Sequence, residues 1–132
     1  MLKKFFNKNT QIINNNDDNN EEQINSIIER AKKSSDFTFL SLASNKEKVI
    51  IYYYKTLIDS EILKRDFLPY IKPKADQIKT LQELSSYIPL EQMLITDDVL
   101  EINSRLNKGS VLIQLHKDDK NVLMVDLSSI TK

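Results

Sequence analysis

The stretch Val49-Ile50-Ile51-Tyr52-Tyr53-Tyr54 decides the fold class of this 132-residue chain. Successive side chains of a β-strand point to opposite faces of its sheet, so both faces of this stretch are apolar. A strand of that kind has to be covered on both sides. We therefore predict a central strand over Lys48 to Leu57, with other elements packed against each of its faces.

Three further strands are predicted around it. Phe37 to Ala43 is rich in β-branched and aromatic residues, and the polar residues 44–47 that follow have the length of a hairpin loop. Near the other end of the chain, Val111 to His116 and Asn121 to Leu127 have the same composition. The charged residues 117–120 join these two strands, which indicates a second hairpin.

Helical signals occur before and between the hairpins. Residues 21–34 repeat isoleucine and alanine at spacings of three and four, and the opposite face is polar. Asp59 or Ser60 is expected to cap the next helix, and Pro69 and Pro73 are expected to confine it to two or three turns.

Two more helices and a turn complete the prediction. Thr80 and Glu83 form a capping box before a short helix, and Thr96 is expected to cap the last helix. Gly109, the only glycine, follows that helix where a residue at positive φ is favoured. The order predicts an α/β domain of the α+β type, with an about four-stranded mixed or antiparallel sheet packed with three to four helices.

The N-terminal segment differs in composition from the rest of the chain. Eight of the twelve asparagines lie within the first 25 residues, and Asn and Asp side chains favour turns and coil over helix. We predict a disordered Asn-rich tail over residues 1–20 and a single α/β domain over residues 21–132. The opening Met1 to Phe6 lacks the apolar run of an export signal, so it is a solvated terminus or a weak contact for an anionic membrane surface.

Composition excludes several classes of chemistry. The chain has 19 basic and 19 acidic residues, no cysteine and one histidine, His116. Zero net charge argues against a global grip on nucleic acid, and the absence of cysteine removes disulfide scaffolds and thiol nucleophiles. His116 beside a charged turn is expected to be solvated. The three Asp-Asp pairs lie in the tail, at a helix start and in a hairpin, so we predict no metal site, no cofactor and no enzyme activity.

The tyrosines of the central strand admit two interpretations. Tyr52 and Tyr54 share one face of the strand and could form a stacking platform for single-stranded nucleic acid. Core and surface packing is the alternative, and it is favoured because no basic surplus accompanies the rings. Lys55 follows directly. We expect Tyr52, Tyr54 and Lys55 to be the exposed features of this strand.

Several segments, taken in order, resemble the N-terminal cytoplasmic domain of the A subunit of GerA-type spore germinant receptors. The segments are Ser34-Ser35-Asp36-Phe37, Val49 to Asp59, Phe67-Leu68-Pro69-Tyr70-Ile71, Val99 to Ile113 and Asn121 to Leu127. Lys55-Thr56 departs from the Asp-Gly of the family. The chain also stops where members of the family continue into a second cytoplasmic subdomain and membrane spans, so it resembles the first soluble subdomain of a larger membrane protein.

The resemblance implies a function and a set of partners. It implies a non-catalytic module that acts in receptor assembly and in nutrient-triggered germination signalling. The partners would be a membrane-embedded B subunit, a lipoprotein C subunit and the missing second subdomain. The full-length protein would lie in the spore inner membrane, held there by its C-terminal part, with this domain on the cytoplasmic side.

The candidate interaction residues are few. Ser35 and Asp36 match the entry step of the family, Asp59 matches its acidic strand-to-helix turn, and Tyr52, Tyr54 and Lys55 complete the set. Two other functions stay open. One is a small-ligand sensor, in which backbone N–H groups of the Thr56 to Ser60 turn hold a polar or anionic ligand. The other is a generic cytoplasmic protein-interaction domain unrelated to germination.

Overall fold

The sheet has five strands, all antiparallel. The structure, a computed structural model, describes residues 16–128, with side chains described from Ile24 onward. The strands are β1 (Phe37–Ser41), β2 (Lys48–Tyr54), β3 (Met93–Thr96), β4 (Ser110–His116) and β5 (Val122–Asp126). Their order in the sheet is β1-β2-β4-β5-β3. The predicted α+β class is confirmed, and the open choice between a mixed and an antiparallel sheet is decided in favour of the antiparallel one.

β3 is the strand that the prediction missed. It is four residues long and pairs with β5 from Met93 opposite Val125 to Thr96 opposite Val122. Four residues are too few for the alternation of apolar and polar side chains to show a period. The strand exists because β5 offers it a ladder of backbone partners, which is a tertiary contact.

Within residues 16–128, five helices accompany the sheet. They are α1 (Asn16–Ala31), α2 (Ser60–Ile62), α3 (Leu68–Ile71), α4 (Leu81–Ser86) and α5 (Val99–Leu106). The first of them begins at Asn16 rather than at Glu21. Residues 1–15 of the predicted tail lie outside the described residues.

The prediction that Pro69 and Pro73 confine the second helix to two or three turns is wrong, because the chain stays helical past Pro69 and through Pro73. A π-helical turn, Leu63–Phe67, joins α2 to α3, and a 3₁₀ turn, Lys72–Lys74, follows α3. In the π turn the N–H of Leu68 donates to the carbonyl of Leu63. Pro69 is then near the start of a new helical segment, where the missing N–H of proline costs nothing. The chain therefore stays helical from Ser60 to Lys74.

Side-chain caps fix where the helices begin. Asp59, not Ser60, caps α2, and its Oδ1 accepts from the N–H of Glu61 at 2.9 Å. The Thr80 cap of α4 is confirmed. The predicted Thr96 cap of α5 is wrong, because Asp98 accepts the first N–H groups of that helix. Thr96 accepts from the N–H of Asp98 instead, since it is the last residue of β3 and lies two residues before the cap position.

Helices cover both faces of the sheet, as predicted for β2. One face, here the α2–α4 face, packs against the chain from Ile58 to Ile88. Its buried strand residues are Val49, Ile51, Tyr53, Val111, Ile113, Leu115, Leu123 and Val125, and Leu127 just after β5 joins them. The other, the α1–α5 face, has the buried strand residues Phe37, Ile50, Tyr52, Leu112, Val122 and Met124. The molecule is therefore a three-layer sandwich with two cores.

Gly109 has the backbone conformation that its position predicted. Its φ is 103°, and a Cβ there would lie 2.7 Å from the carbonyl oxygen of Leu57. The carbonyl of Gly109 accepts from the N–H of Leu127, and the N–H of Asp59 donates to the carbonyl of Leu127 at 2.7 Å. The ends of β2, β4 and β5 meet at this junction, which only glycine can occupy without strain.

Candidate interaction surface

Asp36, just before β1, binds Thr56, just after β2, and so connects the two strands of the β1–β2 hairpin at the end opposite its loop. Its Oδ2 accepts from the hydroxyl of Thr56 at 2.7 Å, and its Oδ1 accepts from the N–H of Thr56 at 3.2 Å. The N–H of Lys55 donates to the carbonyl of Asp36 at 2.9 Å. Residues 20 positions apart in sequence are thereby tied together at one end of the sheet. Thr56, which stands where the resemblance expects glycine, supplies the hydroxyl of this contact, and the sequence analysis did not select it.

Four of the six predicted residues lie at this end of the hairpin. Ser35 and Lys55 are exposed, and Asp36 and Tyr54 are half-buried. The ring of Tyr54 lies 5.0 Å from the ring of Phe37, centroid to centroid, so the tyrosine is held against the start of β1. These residues form a small mixed surface with one carboxylate, Asp36, which is hydrogen-bonded to Thr56, and one cation, Lys55, for which no ion pair is described.

The expectation that Tyr52 is exposed is wrong. Tyr52 has 6% of its surface exposed, because α1 covers this part of the α1–α5 face. Its hydroxyl donates to Oε1 of Gln114 at 3.2 Å, and its ring stacks on that of Phe37. Burial raises the pKa of the Tyr52 hydroxyl, and the carboxylates of Asp118 and Glu29 raise it further. Tyr52 is a core residue, so it forms no platform with Tyr54.

Asp59 belongs to the Gly109 junction and not to the hairpin surface. It is half-buried, its carboxylate caps α2, and its own N–H is bound to Leu127. The N–H groups of the Thr56 to Ser60 turn were the basis of the small-ligand hypothesis. Those of Thr56, Leu57 and Asp59 are already donated within the chain. The carboxylate of Asp59 accepts from the N–H groups of Glu61 and Ile62 at the start of α2, which leaves the turn fewer donors for an anion.

Exposed apolar residues were not identified from the sequence. Phe39, in the middle of β1, is 53% exposed, and Nζ of Lys32 lies 5.4 Å from its ring centroid. Leu100 and Tyr70 are also exposed. Phe37 and Phe39 lie on the same face of β1, because side chains alternate along a strand. The sequence signal for the exposure of Phe39 is that β1 is the first strand of its sheet and therefore a candidate edge strand.

A polar opening of about 280 Å³ lies beside the Gly109 junction. Its lining residues are Glu101, Ser104, Arg105, Lys108, Ser110, Asp126 and Ser128. Nε of Arg105 donates to Glu101 at 2.7 Å, so the principal cation of the opening is paired. Ser110 and His116 are the first and last residues of β4, and the rise per residue of a strand places them about 20 Å apart. His116 is exposed. The opening therefore holds serines without a histidine base.

Metal ligands do not converge within the described part of the chain. Among residues 24–128, no three His, Asp or Glu side chains are grouped so that they could hold a metal ion. Nδ1 of His116 lies 3.7 Å from Oδ2 of Asp119, which is in the turn before β5. In the same residues, no helix combines the length and the apolar character needed to cross a bilayer.

Comparison with known proteins identifies the family. The sequence model of the Bacillus/Clostridium GerA spore germination protein family matches residues 23–132. The chain belongs to this family.

Two Bacillus cereus relatives of the GerA family show how much of a longer protein this domain represents. The spore germination protein GerQA is 37% identical over 106 residues, which are 80% of this chain and 21% of GerQA. The spore germination protein GerIA is 29% identical over 104 residues, which are 78% of this chain and 15% of GerIA. The chain thus spans about a fifth or less of the length of these relatives.

A solved structure is also similar. It is the crystal structure of the N-terminal domain of the A subunit of the Bacillus megaterium spore germinant receptor GerK3. The TM-score is 0.46 at 12% sequence identity, and the match covers 76% of this chain and 86% of the other.

Proposed function

We propose that this GerA-family domain is the non-catalytic N-terminal module of a spore germinant receptor A subunit, and that it acts in receptor assembly and in nutrient-triggered germination signalling. The observation that carries the proposal is the family match, which extends over both layers of helices and all five strands. A whole folded unit is therefore kept in the family, and not an isolated motif.

The proposed partners are the other parts of such a receptor. They are a membrane-embedded B subunit, a lipoprotein C subunit and a second cytoplasmic subdomain of the A subunit itself. The proposed location is the spore inner membrane, with this domain on the cytoplasmic side and the C-terminal part of the full-length protein in the bilayer. The short span of the chain relative to GerQA and GerIA supports a larger parent protein.

A binding role fits the chemistry of the described surface better than a catalytic one. His116 is exposed and distant from the buried Ser110, and in the polar opening Arg105 is paired with Glu101. Nucleophilic catalysis requires a nucleophile and a base within hydrogen-bond reach. The hairpin surface at Ser35, Asp36, Tyr54 and Lys55 instead offers a fixed shape with a free cation, which suits contact with another protein.

The experiment is a pair of charge reversals in the full-length A subunit of the parent receptor. Lys55→Glu changes the sign of the hairpin surface, whereas Lys64→Glu changes an exposed lysine in the π turn, outside the hairpin. We expect Lys55→Glu to lower nutrient-triggered germination and co-purification of the other subunits, and Lys64→Glu to leave both at the wild-type level. Wild-type germination and subunit levels in spores that lack residues 34–128 would contradict the proposed function as a whole.

A further inference from the structure

Both edges of the sheet are open. β1 and β3 stand at the two ends of the strand order, and within residues 16–128 no strand pairs with the outer side of either. An exposed edge presents a row of backbone N–H and C=O groups to which another strand can be added. Natural proteins protect such edges with charged residues, proline or bulges.

β1 and β3 are short, at five and four residues, but neither edge has a charged residue or a proline to protect it. β1 reads Phe-Thr-Phe-Leu-Ser and β3 reads Met-Leu-Ile-Thr, so the two strands contain no charged residue and no proline. Phe39, at the centre of β1, exposes 53% of its surface, and all four side chains of β3 are only half-buried. Uncharged open edges with exposed apolar side chains are typical of strands that pair with another chain.

The register identifies which backbone groups of β1 point outward. The N–H of Leu42 donates to the carbonyl of Val49, and the N–H of Lys55 donates to the carbonyl of Asp36. The backbone N–H and C=O groups of even-numbered β1 residues therefore point towards β2. Backbone direction alternates along a strand. Phe37, Phe39 and Ser41 therefore turn their backbone groups to the open side. The N–H of Phe37 is already donated to the carbonyl of Ser34.

The same reasoning applies to β3. The N–H of Asp126 donates to the carbonyl of Gln92, so the backbone groups of even-numbered residues point towards β5. The backbone groups of Met93, Ile95 and Asp97 therefore point to the open side. The N–H of Met93 is already donated to Glu91. Each edge thus has one outward N–H that is satisfied locally and others that are available.

The two edges are bordered by opposite charges. Lys32, Lys33, Lys46 and Lys55 border β1. The chain from residue 29 to residue 56 holds six basic and three acidic residues, although the whole chain is neutral. β3 is bordered by Glu91, Asp97 and Asp98, and residues 91–98 contain no basic residue. Complementary charge around two uncharged strands favours their association and disfavours pairing of either strand with its own copy.

We propose that β1 of one copy of this chain pairs antiparallel with β3 of a second copy, with Phe39 opposite Ile95. In this register Phe39 and Ile95 exchange two hydrogen bonds, Ser41 N–H donates to the Met93 carbonyl, and Asp97 N–H donates to the Phe37 carbonyl. The N–H groups of Phe37 and Met93, which would face the remaining acceptors, are the two that are already donated locally.

Side-chain packing follows from the register. Directly opposed residues of an antiparallel pair lie on the same face of the sheet. Met93 and Ile95 lie on the α2–α4 face, where an opening of about 340 Å³ is lined by both of them together with Ser85, Glu91, Leu94 and Leu123. Phe39 of the incoming copy is placed beside this opening. Lys32 accompanies its ring, and Glu91 provides the opposite charge.

The contact uses two different surfaces, so it is heterologous. Every added copy leaves one free β1 edge and one free β3 edge, and the assembly grows until it closes into a ring or continues as a filament. The inference goes beyond the proposed receptor role and does not depend on it, because it rests on the geometry and charge of the two edges alone.

Proline substitutions in the 132-residue chain test the pairing. Phe39→Pro and Ile95→Pro each remove one outward N–H, a position at which an edge strand tolerates proline. Sedimentation velocity from about 10 μM to about 1 mM should show a mass that rises with concentration for the wild type, and a monomer for each variant alone. An equimolar mixture should form a dimer and grow no further, because each variant keeps one intact edge.

Charge reversals provide a second test if a proline variant does not fold. Lys32→Glu with Lys55→Glu makes the border of β1 acidic, and Glu91→Lys with Asp97→Lys makes the border of β3 basic. Each double variant alone should be a monomer, and mixing the two should restore association, which added salt should weaken. A wild type that stays monomeric up to about 1 mM would overturn the proposal, and the edges would then be open to another protein. Continued self-association of the variants, or mixtures that stay monomeric, would overturn it too.

Discussion

Gly109 is the residue whose identity the fold constrains most tightly. Its φ of 103° is strained for any other residue, and a Cβ would lie 2.7 Å from the carbonyl oxygen of Leu57. We expect Gly109→Ala to lower the free energy of unfolding by about 2 kcal/mol or more in urea denaturation. Lys108→Ala, at the exposed neighbouring position, is the control and should change it by less than about 0.5 kcal/mol. Equal effects of the two substitutions would show that the junction tolerates a side chain.

Asp76 gives one local contact a dependence on pH. Its carboxylate accepts from the N–H of Ser44 at 2.6 Å and from the hydroxyl of Ser44 at 2.9 Å. These hydrogen bonds, with a smaller contribution from Lys48, lower the pKa of Asp76. Because the folded pKa lies below the unfolded value, the contact stabilises the fold above the unfolded pKa, and this contribution is lost as the pH falls through the folded pKa.

The measurement is an NMR titration of the Asp76 carboxyl carbon. We expect its midpoint to lie below the ordinary value for aspartate in the wild type, and to rise towards that value in Ser44→Ala, which removes the hydroxyl donor. Ser41→Ala is the matched control, because the Ser41 hydroxyl donates to Asn45 and Lys48 carbonyls and does not contact Asp76. An Asp76 midpoint that is the same in wild type and Ser44→Ala would rule out this cause.

At the scale of elements, the cap of α2 separates two alternatives that the sequence left open. Asp59 accepts from the N–H groups of Glu61 and Ile62, whereas Ser60 is exposed within the helix. We expect Asp59→Ala to destabilise the protein by about 1 kcal/mol and Ser60→Ala to have a much smaller effect. Thermal unfolding of both variants at neutral pH checks this, and the reverse order would return the cap to Ser60.

The elements that were predicted correctly are those whose signals are local. The apolar side chains on both faces of β2 identified it as a central strand. The capping box of Thr80 and Glu83 identified the start of α4. Two of the wrong predictions have causes that the local sequence signals do not contain. β3 forms because β5 supplies its ladder, and the helix passes Pro69 because a π turn starts a new segment there. Spacing along the chain contains neither cause.

The candidate surface was only partly predictable for the same reason. Residues at strand ends, such as Ser35, Asp36 and Lys55, were found because turns are exposed in almost any fold. Whether a strand residue is exposed depends on what packs over its face, and alternation alone does not give this. Tyr52 is buried under α1. Phe39 lies on the same face of β1 as the buried Phe37, two residues away, yet it is exposed at the edge of the sheet.

At the scale of the whole molecule, the predicted boundary between tail and domain stays a prediction that truncation can test. Ile24, Ile27 and Ile28 of α1 are at most 5% exposed and form part of the core of the α1–α5 face. Deleting residues 1–15 should change the free energy of unfolding by less than about 0.5 kcal/mol and leave the urea m-value unchanged, since the m-value follows the surface buried on folding.

Deleting residues 1–28 should have a large effect, because it removes all three isoleucines. Full burial of an isoleucine contributes about 1.5–3 kcal/mol, so the loss should exceed about 4 kcal/mol, which is a large part of the stability of an ordinary domain of this size. A clear loss of stability on deletion of residues 1–15 alone would show instead that the Asn-rich segment packs on the domain. The domain would then begin earlier than its composition indicates, because contacts with the α1–α5 face would supply the free energy that the segment's own sequence lacks.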